Sequence, residues 1–252
     1  MTPPDTGPAL SLTAGHAHLW WAVPERLTDR DALARYRLAL TDEERRKTDR
    51  FRFARDRQLC LIARVLVRTT LSRYDRVQAS QWRFQANRYG RPAIETPASS
   101  LRFNLSHTSG LVVCLVCRNR KVGVDVEPLS RTGEWLDLAS RFFSASEAAA
   151  LRQVNATDRP RRFLEYWTLK EAYIKARGMG LAIPLSDFSF HLPPRHPDDV
   201  RIRFAPALDD NPARWQFGVC QLGEHHLVAT AVEADASAPV TITPHEAVGP
   251  LL

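Results

Sequence analysis

Cysteine is scarce in this chain, four in 252 residues, which is too few to staple a chain of this size with disulfides. The one close pair, Cys114 and Cys117, lies inside the apolar run Leu111–Cys117. On a strand, positions i and i+3 point to opposite faces, so the two thiols could not share a ligand, and no second CxxC completes a zinc site. They are expected as buried strand residues. Long apolar segments are missing too: none approaches the roughly 20 residues that span a bilayer, so no membrane role is expected. The first fifteen residues lack the charged start and apolar centre of a signal peptide, and a cytoplasmic protein with reduced thiols is expected. No G-x-x-x-x-G-K-[ST] loop occurs, which removes the commonest phosphotransferase class. Lysine is nearly absent: of 35 basic residues only Lys47, Lys121, Lys170 and Lys175 are lysines. Two of these share the window 170–175, a hint, slight by itself, of a reason for a compact ammonium in a chain that otherwise uses arginine.

What is present begins with charge. The net charge is +7, but Arg26–Arg91 holds 18 Lys/Arg against 8 Asp/Glu, an excess of 10 that leaves −3 for the rest. A basic N-terminal half suits an anionic partner: a nucleic acid, a nucleotide phosphate or an acidic protein. A solvated helix face in an Arg-rich chain is the plainer alternative.

Along the chain, a Pro-rich leader runs through residues 1–15. A strand is expected near His18–Val23, helices over Asp29–Leu40 and Arg55–Tyr74, and a cap with an acidic first turn at Thr41–Glu44. The middle reads as strands at Trp82–Phe84, Leu101–Leu105, Leu111–Cys117 and Lys121–Glu127. The last two flank a turn around Asn119 and predict a hairpin. Ser144–Glu147 is a capping box, and a second long helix runs from about Asp158 to Gly178. Four further strands are expected between Phe188 and Val232. The fold class is therefore α+β: two α/β halves, each with a helix among antiparallel strands. The expected boundaries are a flexible leader 1–15, an N-terminal half 16–120, a C-terminal half 121–235 and a loose tail 236–252.

Three acids stand out by placement. Asp125 and Glu127 leave the same face of one strand, while Val124 and Val126 take the other. Two adjacent carboxylates repel unless a cation or a proton lies between them. Glu171 follows on the second long helix, with Lys175 one turn later on the same side. Oxygen-only ligands of this kind suit Mg²⁺, which keeps several waters and is completed by substrate phosphates. Taken separately, each pair also reads as an exposed strand face or a surface ion pair worth about 0.3–0.5 kcal/mol.

Four motifs occur in order: Tyr89-Gly90-Arg91-Pro92, Phe103-Asn104-Leu105-Ser106-His107, Gly123-Val124-Asp125-Val126-Glu127 and Trp167-Thr168-Leu169-Lys170-Glu171-Ala172-Tyr173-Ile174-Lys175. In this order and spacing they resemble the Sfp-type 4′-phosphopantetheinyl transferase family. The resemblance extends from about Thr41 to Phe190. It implies a pseudo-dimer of two similar α/β halves with coenzyme A in a cleft between them. It also implies transfer of 4′-phosphopantetheine to a serine of an apo acyl or peptidyl carrier protein. Asp125, Glu127 and Glu171 would hold Mg²⁺ against the pyrophosphate, and Glu171, or a water it orients, would take the serine proton. Lys175 would offset charge developing on the pyrophosphate, and His107 would donate a hydrogen bond to it. Arg91 would meet the 3′-phosphate, with Lys47, Arg55 and Ser106 as further candidates for that phosphate or the adenine region.

The chain departs from some relatives at Glu44, where they carry a basic residue, and at Cys60, where they carry a hydroxyl. The main rival is a non-catalytic nucleic-acid-binding protein using the Arg-rich half, although no nucleic-acid motif is recognised. An inactive coenzyme A-binding relative is the other. The chain already contains two halves, so a monomer is expected.

Overall fold

The computed structural model describes residues 10–193, 200–235, 238–247 and 251, and their elements fall into two units. The first gathers the described residues of Met1–Asn87, Pro92–Asn119 and Thr241–Leu252, and the second those of Arg88–Arg91 and Arg120–Val240.

The first unit carries β1 (His16–Ala22), α1 (Arg30–Leu38), α2 (Asp42–Asp49), α3 (Ala54–Ser72), β2 (Arg83–Ala86), β3 (Pro92–Thr96), β4 (Leu101–Thr108), β5 (Leu111–Arg118) and β11 (Thr241–Glu246). Its main sheet has the order β11–β1–β5–β4, with β1 and β11 parallel and the other pairs antiparallel. Helix α3 presents Ile62, Val65, Leu66 and Leu71 at helical spacing to Trp20, Phe103, Val112, Cys114 and Val116, forming one apolar core. Helix α2 begins with a reciprocal capping box: Thr41 Oγ1 accepts from the Glu44 backbone N–H, and Glu44 Oε2 accepts from the Thr41 N–H at 2.9 Å.

The second unit carries β6 (Val122–Pro128), α4 (Trp135–Phe142), α5 (Ala145–Gln153), α6 (Arg159–Arg177), β7 (Phe188–His191), β8 (Arg201–Phe204), β9 (Trp215–Leu222) and β10 (His226–Glu233). An antiparallel sheet of order β6–β10–β9 packs under α6, and β7 pairs with β8. Pro160 lies in the first turn of α6, and Gly178, at φ 68°, closes its C-terminus in the left-handed conformation that glycine adopts without strain. Phe163, Leu169 and Tyr173 of α6 pack with Phe188, Phe190, Trp215 and Phe217 in the core of this unit.

Four expectations are corrected. Strands β5 and β6 do not form a hairpin: β5 is already paired on both edges, by β1 and β4, so β6 takes β10 as its partner. Asn119, at φ 54°, makes the turn that separates them. The tail is not loose throughout, because Thr241–Glu246 pairs with β1 and Leu251 is buried in the first core. The backbone N–H of Leu251 donates to Tyr36 Oη at 2.6 Å. Part of the leader is also packed, with Leu12 buried and the Leu10 N–H donating to Arg73 O at 2.8 Å; residues 1–9 lie outside the described residues. Finally, α4 and β3 form where no element was expected. Cys114 and Cys117 are fully buried on β5, as expected of strand cysteines. No helix among the described residues is long and apolar enough to cross a membrane.

The lysine at 170 has a structural use. Its side chain is fully buried, and Nζ donates to Glu147 Oε2, Leu185 O and Phe188 O, each at 2.7 Å. Glu147 meanwhile caps α5 through Ser144 and accepts from the Phe190 N–H at 2.9 Å. One ion pair thus ties α5, α6 and β7 together, and three convergent acceptors suit the three donors of an ammonium. Lys170→Met is expected to destabilise the protein by about 3–5 kcal/mol by stranding a buried carboxylate, as read from urea unfolding.

Candidate active site

The site is built on the contact of α6 with β6. Gly123 faces the helix, and a Cβ there would lie 1.9 Å from Ala172 O and 2.6 Å from Ala176 N. The helix backbone therefore rests directly on the strand, with Ala172 and Ala176 as the small residues one turn apart that permit it. Side chains on a strand alternate, so Asp125 and Glu127 share the face of Gly123. Opposite them on β10 stand Ala229 and Leu227. Asp125 is only 6% exposed, so this strand face is covered rather than open to solvent. From α6, Lys175 Nζ donates to Asp125 Oδ1 at 2.6 Å.

Trp167, Glu171 and Lys175 follow one another at intervals of four residues and form a half-buried stripe on a helix otherwise largely buried. The stripe meets the end of β6. The Trp167 indole lies beside the Glu127 carboxylate and favours its charged form, and Arg131 Nη1 donates to Glu127 Oε1 at 2.5 Å. The Arg131 guanidinium also lies over the Trp167 ring, 5.1 Å from its centroid. Burial pushes the Glu127 carboxyl above its usual range, while the Arg131 charge opposes that rise and Asp125 adds to it. Glu171 is pushed up to about 7, first by burial and then by the negative charge of Asp125, with Lys175 pulling the other way and Glu127 adding to the rise.

Sequence reasoning placed the three acids and Lys175 together, and the structure gathers them. It gave no role to Trp167 or Arg131. The signal for both was available: Trp167 precedes Glu171 by four residues, and Arg131 follows Glu127 by four just past a strand-ending proline.

The donor set is all oxygen and mutually repulsive, which fits a hard divalent cation. Glu171 gives the physical test, since neighbouring carboxylates and burial together disfavour its charged form and a cation would relieve both. Asp125 is turned toward Lys175 and Glu127 toward Arg131, however, and no group of three or more His, Cys, Asp or Glu among the described residues is arranged to hold a metal ion. A magnesium ion bound here would complete its shell with oxygens of water or of a ligand.

The remaining sequence candidates lie as follows. Arg91, in the second unit, donates from Nη1 to Ala176 O and from Nη2 to Val122 O, both at 3.0 Å. In the first unit, β4 carries Ser106 buried and His107 exposed on its opposite faces. Lys47 is an exposed residue of α2 paired with Glu43 at 2.7 Å, and Arg55 at the start of α3 is 3.5 Å from Asp56. The departures from the family pattern have local causes. Glu44 Oε2 accepts from Arg68 Nη2 at 2.5 Å, and Arg68 is otherwise buried with Nη1 on Ala79 O and Trp82 O. A basic residue at 44 would leave that guanidinium without its counter-charge. Cys60 Sγ lies 3.5 Å from Thr48 Oγ1, a contact between α3 and α2.

A model of the 4′-phosphopantetheinyl transferase superfamily matches residues 121–231, and a model of the 4′-phosphopantetheinyl transferase N-terminal region matches residues 28–119. The 4′-phosphopantetheinyl transferase HetI of Nostoc sp. is 33% identical over 202 residues, covering 79% of this chain and 83% of that protein. The 4′-phosphopantetheinyl transferase Sfp of Bacillus subtilis is 34% identical over 161 residues, covering 63% of this chain and 69% of that protein. Among solved structures, the holo-[acyl-carrier-protein] synthase of Thermotoga maritima aligns with 46% of this chain and 63% of its own, at 20% identity and a TM-score of 0.36. With both units matched by family models and HetI covered over most of its length, the chain belongs to the 4′-phosphopantetheinyl transferase superfamily.

Proposed function

We propose that this protein transfers the 4′-phosphopantetheine arm of coenzyme A to a serine hydroxyl of an apo acyl or peptidyl carrier protein, releasing adenosine 3′,5′-bisphosphate. The observation that carries the reading is the gathering of Asp125, Glu127, Glu171 and Lys175 by β6 and α6, at the motif positions of the family. In the reaction the serine oxygen attacks the β-phosphorus of coenzyme A. A new P–O bond forms to the serine, and the bond from that phosphorus to the bridging oxygen of the pyrophosphate breaks. The demand on the protein is positioning and charge stabilisation.

Each residue has a part that its surroundings support. Glu171 takes the serine proton, directly or through a water; its carboxyl, pushed up to about 7 in the metal-free protein by burial and by Asp125, would return toward the ionised form that a base needs once a cation offsets those charges. Lys175 brings a positive charge to the rim of the cluster and offsets charge gathering on the leaving phosphate. Asp125, Glu127 and Glu171 would hold magnesium, which when bound neutralises the pyrophosphate oxygens. Arg131 holds Glu127 through its guanidinium, which in turn lies over the Trp167 ring. For the first unit we propose a binding role. Ser106, His107, Lys47 and Arg55 would meet phosphate groups of coenzyme A, the basic surface suits an acidic carrier protein, and nucleic acid is not the expected partner. We place the protein in the cytoplasm as a monomer serving fatty-acid, polyketide or nonribosomal-peptide carriers.

Intact mass of an apo carrier protein, incubated with this protein, coenzyme A and Mg²⁺, tests the transfer. One phosphopantetheine is expected to be gained, and the gain should vanish with EDTA or with Asp125→Ala. Absence of coenzyme A binding in calorimetry, together with no mass gain on any carrier, would sink the reading.

Glu171→Gln is expected to abolish the gain with the far-UV circular dichroism unchanged. The same substitution has a signature on stability. In the metal-free protein the Glu171 carboxyl binds its proton more tightly folded than unfolded, where it titrates near 4.5. Its contribution is therefore complete below about pH 4.5 and lost as pH rises through about 7. Glu171→Gln should consequently raise the melting temperature relative to the parent at pH 8 and gain less, or nothing, at pH 4. An equal effect at both pH values would remove the carboxylate repulsion from the account.

A further inference from the structure

Arg91 sits where two elements of the site leave carbonyls unpaired by their own secondary structure. Ala176 belongs to the last turn of α6, whose terminal carbonyls have no N–H ahead of them in the helix. Val122 opens β6, an edge strand of its sheet. In β6 the Lys121 carbonyl accepts from the Glu233 N–H and the Leu129 N–H donates to His225 O. The odd-numbered backbone groups thus face β10, and the Val122 carbonyl points outward from the sheet. The Arg91 fork closes both gaps at 3.0 Å each. Its charge also lies at the negative end of the α6 dipole.

The two anchored residues are the neighbours of the site itself. Val122 is bonded to Gly123, the point on which α6 rests, and Ala176 follows Lys175, which reaches Asp125. We infer that Arg91 is a positioning residue: by clamping the start of β6 to the end of α6, it holds Glu171 and Lys175 in register with Asp125 and Glu127. The turn is suited to deliver it, since Gly90 at φ 84° takes a conformation closed to most side chains and Pro92 fixes the backbone just after. The inference rests on the proposed transfer for its kinetic consequence, but the clamp has a readout of its own.

Arg91→Ala tests it, beside the parent protein, with coenzyme A and dephospho-coenzyme A as donors. Displacement of the acid–lysine register is expected to lower kcat about tenfold to a hundredfold. The KM values for the two donors should change by the same small factor, so that their ratio is kept. Hydrogen–deuterium exchange should quicken in segments 121–127 and 172–178 and stay unchanged in β9 and α5. A KM loss confined to coenzyme A, with dephospho-coenzyme A spared and exchange unaltered, would make Arg91 a ligand of the 3′-phosphate and overturn the clamp. Lost melting temperature with kcat intact would reduce it to a structural residue and overturn it equally. If Arg91→Ala does not fold, Arg91→Gln, which keeps one amide donor without the charge, carries the same comparison. Failure of the parent protein to transfer would strike the functional proposal alone, because the exchange experiment tests the clamp without turnover.

Discussion

The arrangement of the second unit depends on one steric allowance, the missing side chain at residue 123. Backbone rests on backbone there, and the distance a Cβ would have to Ala172 O is shorter than any non-bonded contact permits. This closeness brings a carboxylate on β6 within reach of an ammonium on α6, and it also removes water from around the acids. Proximity and desolvation are therefore one cause. Burial and the neighbouring Asp125 carboxylate, against the pull of Lys175, push the Glu171 carboxyl up to about 7, where an exposed glutamate would be ionised.

The charges around that contact divide by burial into distinct jobs. Lys170 and Lys175 lie five residues apart on α6 and face different surroundings. Lys170 is sealed among Glu147 and two carbonyls, so its charge is spent on holding α5, α6 and β7 together. Lys175 keeps 28% of its side chain exposed beside Asp125 and retains a face that a ligand can reach. A similar division holds in the first unit. Arg68 is buried against Glu44 and backbone carbonyls, whereas Lys47 and Arg55 remain at the surface. The basic excess of the N-terminal half is thus partly structural and only partly available to anionic partners.

Much of the site was legible before any coordinates. The period-two placement of Asp125 and Glu127 and the one-turn spacing of Glu171 and Lys175 are local properties, and local periodicity survives folding. Long helices, their caps and the glycine stop at Gly178 were legible for the same reason. The hairpin expected at Asn119 failed because strand pairing is decided by which edges are free: β5 had none left, a fact fixed by β1 and β4 from distant parts of the chain. The tail was misjudged on similar grounds, since its strand exists only by pairing with β1, more than two hundred residues earlier. Arg131 and Trp167 passed without a role because each is unremarkable alone and acquires one only through Glu127.

What the sequence by itself determined is the chemistry on offer: which carboxylates share a strand face, which lysine follows which glutamate, and where each helix starts and stops. These follow from backbone periodicity and capping, which act within a few residues. Only the tertiary structure decided which lysine is buried, what Arg91 and Glu44 hold, and how far the Glu171 proton affinity rises. Those properties depend on burial and on charges contributed by remote segments, and no local pattern records how closely two backbones will approach.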